Sequence, residues 1–590
     1  MLQRRLNLSS APPGPDGPRL WSLNRKLVGY PSGPARYLLL AVVVLSSIVL
    51  YYEQYVQGAV SPSVLAHFQI SFRYYLTVVV ISNAVGAVAS LLAGFADRWG
   101  RANLVVAGLL VASLITGFAI PAAPGPVVYS VLVSVVALVE GVVLVATPAL
   151  IRDFSPQLRR GTAMGLWTLG PVIGSLVVSE VASNTLDHLR AWQDQFHIAG
   201  VTGLVVFVIA LLGLRELSPE LRDQRLVSMR ERVLVEARAR GIDVSRALEH
   251  PWRQMARADV LVPAFGVSVF LLLYYAAVGF FVIYFTSVFG YSQARANSLG
   301  NWFWAADAVA VVIAGTLSDR LAVRKPIMVA AGAVGVVMTL VFASRATDPA
   351  TSYGTFVVII SILSFSRGAA YAPWMAAFSE TVEARNPALV ATGLAVWGWV
   401  LRCVVALSFL VLPVVVNSVT PVTEYGPELL AIQTAYPAQV ATLKAVDPAT
   451  LAALRANVSD RAAVARALSE IEAARHVGPA PAVKLLLGLR SMPAADRAYL
   501  SRHASAVLAA KARAPRQWRT WWWVCAAGQF VFLPTVLLLR GRWRRSAALR
   551  DIEEHERLID AELARLSLAA ARVAGAGGAT GGAPVPRVAG

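Results

Sequence analysis

Twelve long apolar stretches, separated by short polar breaks, constrain this chain more than any other feature of its sequence. A helix of about 20 apolar residues crosses roughly 30 Å of hydrocarbon. The stretches fall at 37–60, 74–96, 103–121, 127–150, 161–181 and 198–214, then at 261–288, 299–317, 326–343, 354–378, 387–415 and 519–540. Composition agrees: 57% of the residues are hydrophobic and only 15% charged, where a soluble domain averages about a quarter charged. The fold class expected is an all-α membrane protein.

The net charge of +19 is mostly arginine beside the apolar stretches, which fits the positive-inside rule better than a nucleic-acid partner. Nucleic-acid binding is therefore not expected. With the N-terminus inside, one set of short loops holds Arg98, Arg101, Arg152, Arg159, Arg160, Arg320, Arg324, Lys325 and Arg385. The other set holds only Arg73, Arg190, Arg295 and Arg345. Both termini are then expected in the cytoplasm, and an Arg-over-Lys, Ala-rich composition suggests a bacterial plasma membrane. Residues 1–36 are read as a flexible basic tail with no apolar signal run, so the first span is its own targeting signal.

The domain plan follows from these breaks. A six-helix bundle is expected at 37–214, a charged cytoplasmic linker helix at 215–259, helices 7–11 at 260–416, helix 12 at 516–540, and a tail at 541–590 that is disordered at its end. Residues 417–515 separate the last two spans by far more than a loop requires. Their Asp447-Pro448 and Met492-Pro493 steps, and Asp460 ahead of an apolar-periodic run, mark helix starts. A helical extracytoplasmic insertion is expected there.

The two sets of six repeat one another. GFADRWGR at 94–101 is echoed by GTLSDRLAVRK at 315–325, placing Asp97 against Asp319. Thr162 and Trp167 correspond to Thr392 and Trp397, and Glu140-Gly141 corresponds roughly to Arg367-Gly368. GFADRWGR resembles the signature between helices 2 and 3 of the major facilitator superfamily, and the second copy resembles its weaker repeat between helices 8 and 9. The resemblance implies a major facilitator-type fold, with about twelve transmembrane helices in two six-helix bundles that alternate access around a midplane cavity.

The signature residues Gly94, Asp97, Arg98, Gly100 and Arg101, with Gly315, Asp319 and Arg320, are read as a cytoplasmic gate. Asp97 could rest at a helix 11 N-terminus opened by Asn386-Pro387, and Asp319 at the start of helix 5 near Gly161 and Thr162. For Arg101 and Arg324 the alternative, and the favoured one, is that they merely flank their spans.

Ionisable residues deep in a membrane are functional candidates by default. Glu53, Glu140 and Asp307 are the candidate proton carriers. Arg367 and Arg402 are the candidate anion ligands, with Tyr274, Tyr275 and Asn83 completing the substrate site. The repeat suggests that Glu140 and Arg367 face each other across the cavity. Glu180 and Glu380, at span ends, are poor candidates.

No phosphate loop, zinc motif or nucleophile motif occurs, so no enzymatic activity, cofactor or metal is expected. Cys403 and Cys525 suit neither a disulfide framework nor a zinc site. The reading is a monomeric secondary transporter in the lipid bilayer, a proton symporter of a small organic anion. LGPVIGS at 169–175 resembles the helix 5 signature of family antiporters, so export of a drug or metabolite is the alternative. A transporter-like sensor or scaffold acting through 417–515 is the reading from another class.

Overall fold

The computed structural model describes residues 26–27, 29–91, 100–154, 169–218, 250–386, 389–457 and 459–541, with scattered residues from 543 to 565. The described residues are almost all helical. The first half contains α1 (Gly33–Ala59), α2 (Ser61–Phe68), α3 (Phe72–Leu91), α4 (Arg101–Leu114), α5 (Pro126–Phe154), α6 (Gly170–Thr185) and α7 (Trp192–Gly213). A π-helical turn at Ile115–Ala119 extends α4. The second half contains α8 (Pro251–Met255), α9 (Ala258–Phe270), α10 (Leu272–Phe289), α11 (Gln293–Leu321), α12 (Lys325–Arg345), α13 (Tyr353–Arg385) and α14 (Val390–Val415). Among the described residues, eleven helical segments are long and apolar enough to cross a membrane, α9 and α10 together forming one of them. The expected span at 161–181 lies partly outside the described residues, and its described part is α6.

Each half is a bundle. In the first, α1 packs on α6 and α7, α3 on α5, and α4 on α5 and α7; in the second, α11 and α12 pack on α13. The halves meet along three seams, α6 with α11, α3 with α14, and α1 with α10. Large residues on the outer faces, such as Val127, Leu407 and Val414, stay exposed, as expected where lipid replaces water as the surrounding solvent.

After α14 the insertion forms α15 (Val419–Ala435), α16 (Pro437–Ala445), α17 (Pro448–Ala456), α18 (Arg461–Arg475) and α19 (Pro479–Gly488). Two of them, α17 and α18, begin at expected signals, Asp447-Pro448 and Asp460. The Asp447 carboxylate accepts from Ala449 N at 2.8 Å, and that of Asp460 accepts from Ala462 N at 2.9 Å. A small core of Val446, Ala467, Ile471 and Ala482 holds α17, α18 and α19 together, and a second of Ile432, Val440 and Met492 joins α15 and α16. Asp460→Ala should cost this unit about 1 kcal/mol, the usual worth of an N-cap. Hydrogen exchange of α18 amides checks this, because protection equal to that of the parent would deny the cap its role.

The break expected at 515–516 is absent. One helix, α20 (Ala494–Thr535), runs for 42 residues from the insertion through the last span, carrying Pro515 in its interior. Good helix formers on both sides of Pro515 extend the helix through it. Most of the expected linker helix at 215–259 lies outside the described residues. Its described ends are a strand and the short α8. The strand, β2 (Glu216–Leu217), pairs in parallel with β1 (Lys26–Leu27). That pairing ties the residues just before α1 to the end of the first half.

Candidate functional site

Helix geometry decides which side chains reach the space between the halves. Residues two apart on a helix lie about 200° apart, and residues four apart share a face. On α1, Tyr51 and Tyr55 therefore share one face, their rings 5.5 Å apart, while Glu53 points the other way. Tyr55 adjoins Tyr274 of α10, and Tyr51 lies within electrostatic range of Tyr275, Glu140 and Arg402. Arg367 and Tyr371 likewise share a face of α13, and Tyr371 is in electrostatic range of Tyr275, Arg367 and Tyr51. The result is a polar cluster between the halves: Tyr51 and Tyr55 from the first, Tyr274, Tyr275, Tyr371 and Arg402 from the second. Tyr51, Tyr55, Tyr275 and Tyr371 are half-buried, while Arg402 is exposed although it lies midway along α14. Trp397 packs on Trp374 at 5.6 Å beside this cluster.

The two arginines singled out from sequence sit in different surroundings. Arg367 is buried, stacked 4.6 Å over the Tyr274 ring and 6.0 Å from that of Phe303. It forms an ion pair with the fully buried Asp307 of α11. Its partner is thus an acid of its own half, not Glu140 across the cavity. Positions equivalent by repeat occupy the same place in each bundle, and each then faces its own neighbouring helix. Gly368 is part of that packing, because a Cβ there would press on Asp307. In the first half Gly141 lies against the Gly86 carbonyl, and Gly86 stands at nearly the same offset from Asp307 as the other repeat pairs.

The remaining acids also divide. Glu53 is buried within the first half, where its Oε1 accepts from Ser113 Oγ at 2.6 Å beside Gly203. Glu140 is 1% exposed, and neither carboxyl oxygen has a hydrogen-bond partner among the described residues. Its charged neighbour is Glu53. Asn83 is exposed on α3, its amide donating to the Val79 carbonyl at 2.8 Å.

At the end bearing the insertion the halves are joined by polar contacts. Gln293 Nε2 donates to Ser63 Oγ at 2.5 Å, and Asn297 Nδ2 to the Ala59 carbonyl at 3.0 Å. Asn301 Nδ2 donates to Glu180 Oε2 at 2.5 Å. Glu180, set aside as a span-end charge, is thus one side of the seam.

At the opposite end, Gly94, Asp97 and Arg98 lie outside the described residues, as do Gly161, Thr162 and Trp167. Gly100 adopts φ +91, where a side chain would be strained and would collide with the Glu216 carboxylate. That carboxylate accepts from the Arg101 backbone N at 2.6 Å, at the head of α4. The reading of Arg101 and Arg324 as flanking charges is overturned. Arg101 Nη1 pairs with Asp153 Oδ2 at 2.8 Å, with both side chains buried or nearly so. Arg324 pairs with Glu380 at 2.7 Å and Asp319 at 2.9 Å. Each copy of the signature thus ties its arginine to an acid at the end of its own bundle's fourth helix. Burial works against the charge on Arg324, yet Glu380 and Asp319 outweigh it and hold the guanidinium above its ordinary pKa. Asp319 is paired here within its own half, while Arg320 is exposed in the last turn of α11 and Gly315 is loosely packed near Ala372. Asn386 closes α13 instead of opening α14, and its amide donates to Gln254 at 3.0 Å.

Sequence reading missed Tyr51, Tyr55, Asp153 and Glu216. The four-residue spacing of Tyr51 and Tyr55 was an available signal, since it defines a face distinct from that of Glu53. Nothing local marked Asp153 or Glu216, whose partners lie far away in the chain.

The comparisons with known proteins agree with this architecture. The family model described as Major Facilitator Superfamily matches residues 43–417. A bacterial homologue of the human lysosomal transporter Spinster, inward-facing and occupied, superposes with a TM-score of 0.52 at 15% identity. That match covers 86% of this chain and 98% of the other. The unoccupied form of the same transporter gives 0.51 at the same identity, covering 86% and 99%. Among curated proteins, the efflux pump radE of Floropilus chiversii is 28% identical over 149 residues. That match spans 24% of this chain and only 27% of the pump. With more than half of its length in the family model and the fold of a solved member, this chain belongs to the major facilitator superfamily of membrane transporters.

Proposed function

We propose that this transporter carries a small organic anion together with a proton, by alternating access between its two halves. The observation that carries the reading is Arg402, an exposed guanidinium midway along a spanning helix, set among tyrosines from both halves. An arginine held in that position offers a planar, two-pronged donor to a carboxylate or phosphate, and the tyrosines offer hydroxyls and ring faces. Behind Tyr51 lies Glu140, buried without a hydrogen-bond partner among the described residues. A bare carboxylate there is costly, and taking up a proton removes the charge. Anion at Arg402 and proton at Glu140 would let the loaded cavity pass through the membrane with less exposed charge than the empty one. Asp307 and Arg367 support the same cavity by holding Tyr274 in place.

Reconstitution in proteoliposomes tests this. A panel of small organic anions is screened with and without an inward proton gradient, and accumulation of at least one anion that requires the gradient is expected. Glu140→Gln should abolish gradient-driven accumulation while leaving exchange of the same anion across equal pH. Accumulation by Glu140→Gln at the parent rate would remove Glu140 from coupling.

The proposal places the protein as a monomer in the plasma membrane, with both termini and the two signature loops in the cytoplasm. The insertion then lies outside, so the described seam at its end closes the outer mouth of the cavity. Export of a drug or metabolite is the second reading, favoured by the partial likeness to an efflux pump and by Gly170-Pro171 at the start of α6. Flux driven outward in the same vesicles would decide for it. A sensor or scaffold acting through the insertion predicts no flux at all.

A further inference from the structure

The insertion contains a groove that the transport reading does not use. It has a volume of about 600 Å³ and lies between α16, α18 and α19. That is within the range of roughly 300–1,000 Å³ typical of small-molecule sites. Val477 and Leu485 give it apolar surface, and Gln439 and Thr442 come from α16. Arg475 and Lys484 supply two cations, and no acidic side chain lines the groove. None of its lining residues belongs to the cluster around Arg402.

Both cations are exposed, and neither makes an ion pair with any described residue. Arg475 lies in the last turn of α18, where a cation also complements the helix dipole. That explanation does not extend to Lys484, which sits midway along α19 on the facing wall. The nearby acid Glu470 is already engaged, accepting from Asp447 N at 2.8 Å and Thr450 Oγ1 at 2.9 Å. Glu472 lies one turn before Arg475 on α18 without forming an ion pair with it, and two cations in a lining that contains no acid complement a molecule with an anionic head and an apolar body.

The walls of the groove are held rigidly. Asp460 caps α18, Val446, Ile471 and Ala482 pack beneath, and Gln439 Nε2 is tied to Ser491 Oγ at 2.9 Å. We propose that this groove is a second ligand site, binding a small soluble carboxylate or phosphate that carries an apolar ring or short chain. The site sits on the same unit as α20, whose single helix continues into the last span.

The test uses the full chain in nanodiscs of phosphatidylcholine, with 2-naphthoate, 2-naphthyl phosphate, neutral 2-naphthalenemethanol and inorganic phosphate as probes, measured by calorimetry. Both naphthyl anions should bind, and the neutral alcohol and inorganic phosphate should bind at least about tenfold more weakly. The double variant Arg475→Glu/Lys484→Glu should lower naphthyl-anion affinity by about tenfold or more, since it removes two charge-assisted contacts. Both positions are exposed, so this variant should fold like the parent. The same comparison is made in the Arg402→Ala background, where the central site proposed above is removed and the roughly tenfold effect of the double variant should persist, which separates the groove from the central cavity and from the transport reading. Equal affinity in the parent and the double variant would overturn the proposal. So would no anion binding at about 10 mM, or equal binding of the neutral alcohol.

Discussion

Asp307→Asn should destabilise the second half by about 3–5 kcal/mol, the usual cost of leaving one member of a buried ion pair uncompensated. Arg367 is 2% exposed and Asp307 0%, so neither charge can turn to water when its partner is lost. The guanidinium would remain over the Tyr274 ring, and that cation–π contact is worth only about 2 kcal/mol when desolvated. Thermal unfolding in detergent should show the loss, and transport should fall with it. The double variant Asp307→Leu/Arg367→Met separates packing from function, because paired apolar replacements are often neutral or stabilising. Its melting should return close to that of the parent. Flux should stay low, since Tyr274 then loses the charge stacked on it. Parent-like melting of Asp307→Asn would refute the importance of the pair. Restored flux in the double variant would make the pair a packing device alone.

The second large effect is expected at Gly58. This residue lies on α1 where the halves meet, and a Cβ there would press into the backbone carbonyl of Val278 on α10. A flexible side chain could move aside, but a helical backbone cannot do so without opening the seam. Gly58→Leu should therefore keep the insertion end from closing and reduce flux to near background. The neighbouring Gly279 has open space around its own Cβ position, so Gly279→Ala serves as a control that should transport normally. Closure can be read directly through Ser63 and Gln293, whose side chains hydrogen-bond across the seam at 2.5 Å. With Cys403 and Cys525 removed, a Ser63→Cys/Gln293→Cys pair should cross-link readily in the parent and poorly with Gly58→Leu. Unchanged cross-linking and flux would show that the seam tolerates the added side chain.

The spans were legible because their signal is local. Apolar length and flanking arginines report the cost of placing a charge or an unpaired peptide in hydrocarbon, and no distant residue alters that cost. The Asp-capped helix starts of the insertion, at Asp447 and Asp460, were legible for a related reason, since an N-cap acts within three residues of itself. The repeat was legible as well, because both signature copies survive in the chain.

The partners of the buried charges were not legible. Glu140 and Arg367 stand at equivalent places, yet equivalence says nothing about which helix lies opposite. Asp307, sixty residues before Arg367, became its partner only through the packing of α11 on α13. Asp153 and Glu380 were likewise chosen by the bundles, which bring the end of the fourth helix to the arginine of each signature.

The chain by itself determined a membrane-spanning, duplicated, predominantly helical protein, since those properties follow from composition and short-range pattern. The tertiary structure decided which charges are paired and which stay bare, and that Tyr51 and Tyr55 face the second half while Glu53 does not. It also decided that one unbroken helix joins the insertion to the last span. These are matters of which surfaces meet, and only the packed fold brings distant surfaces together.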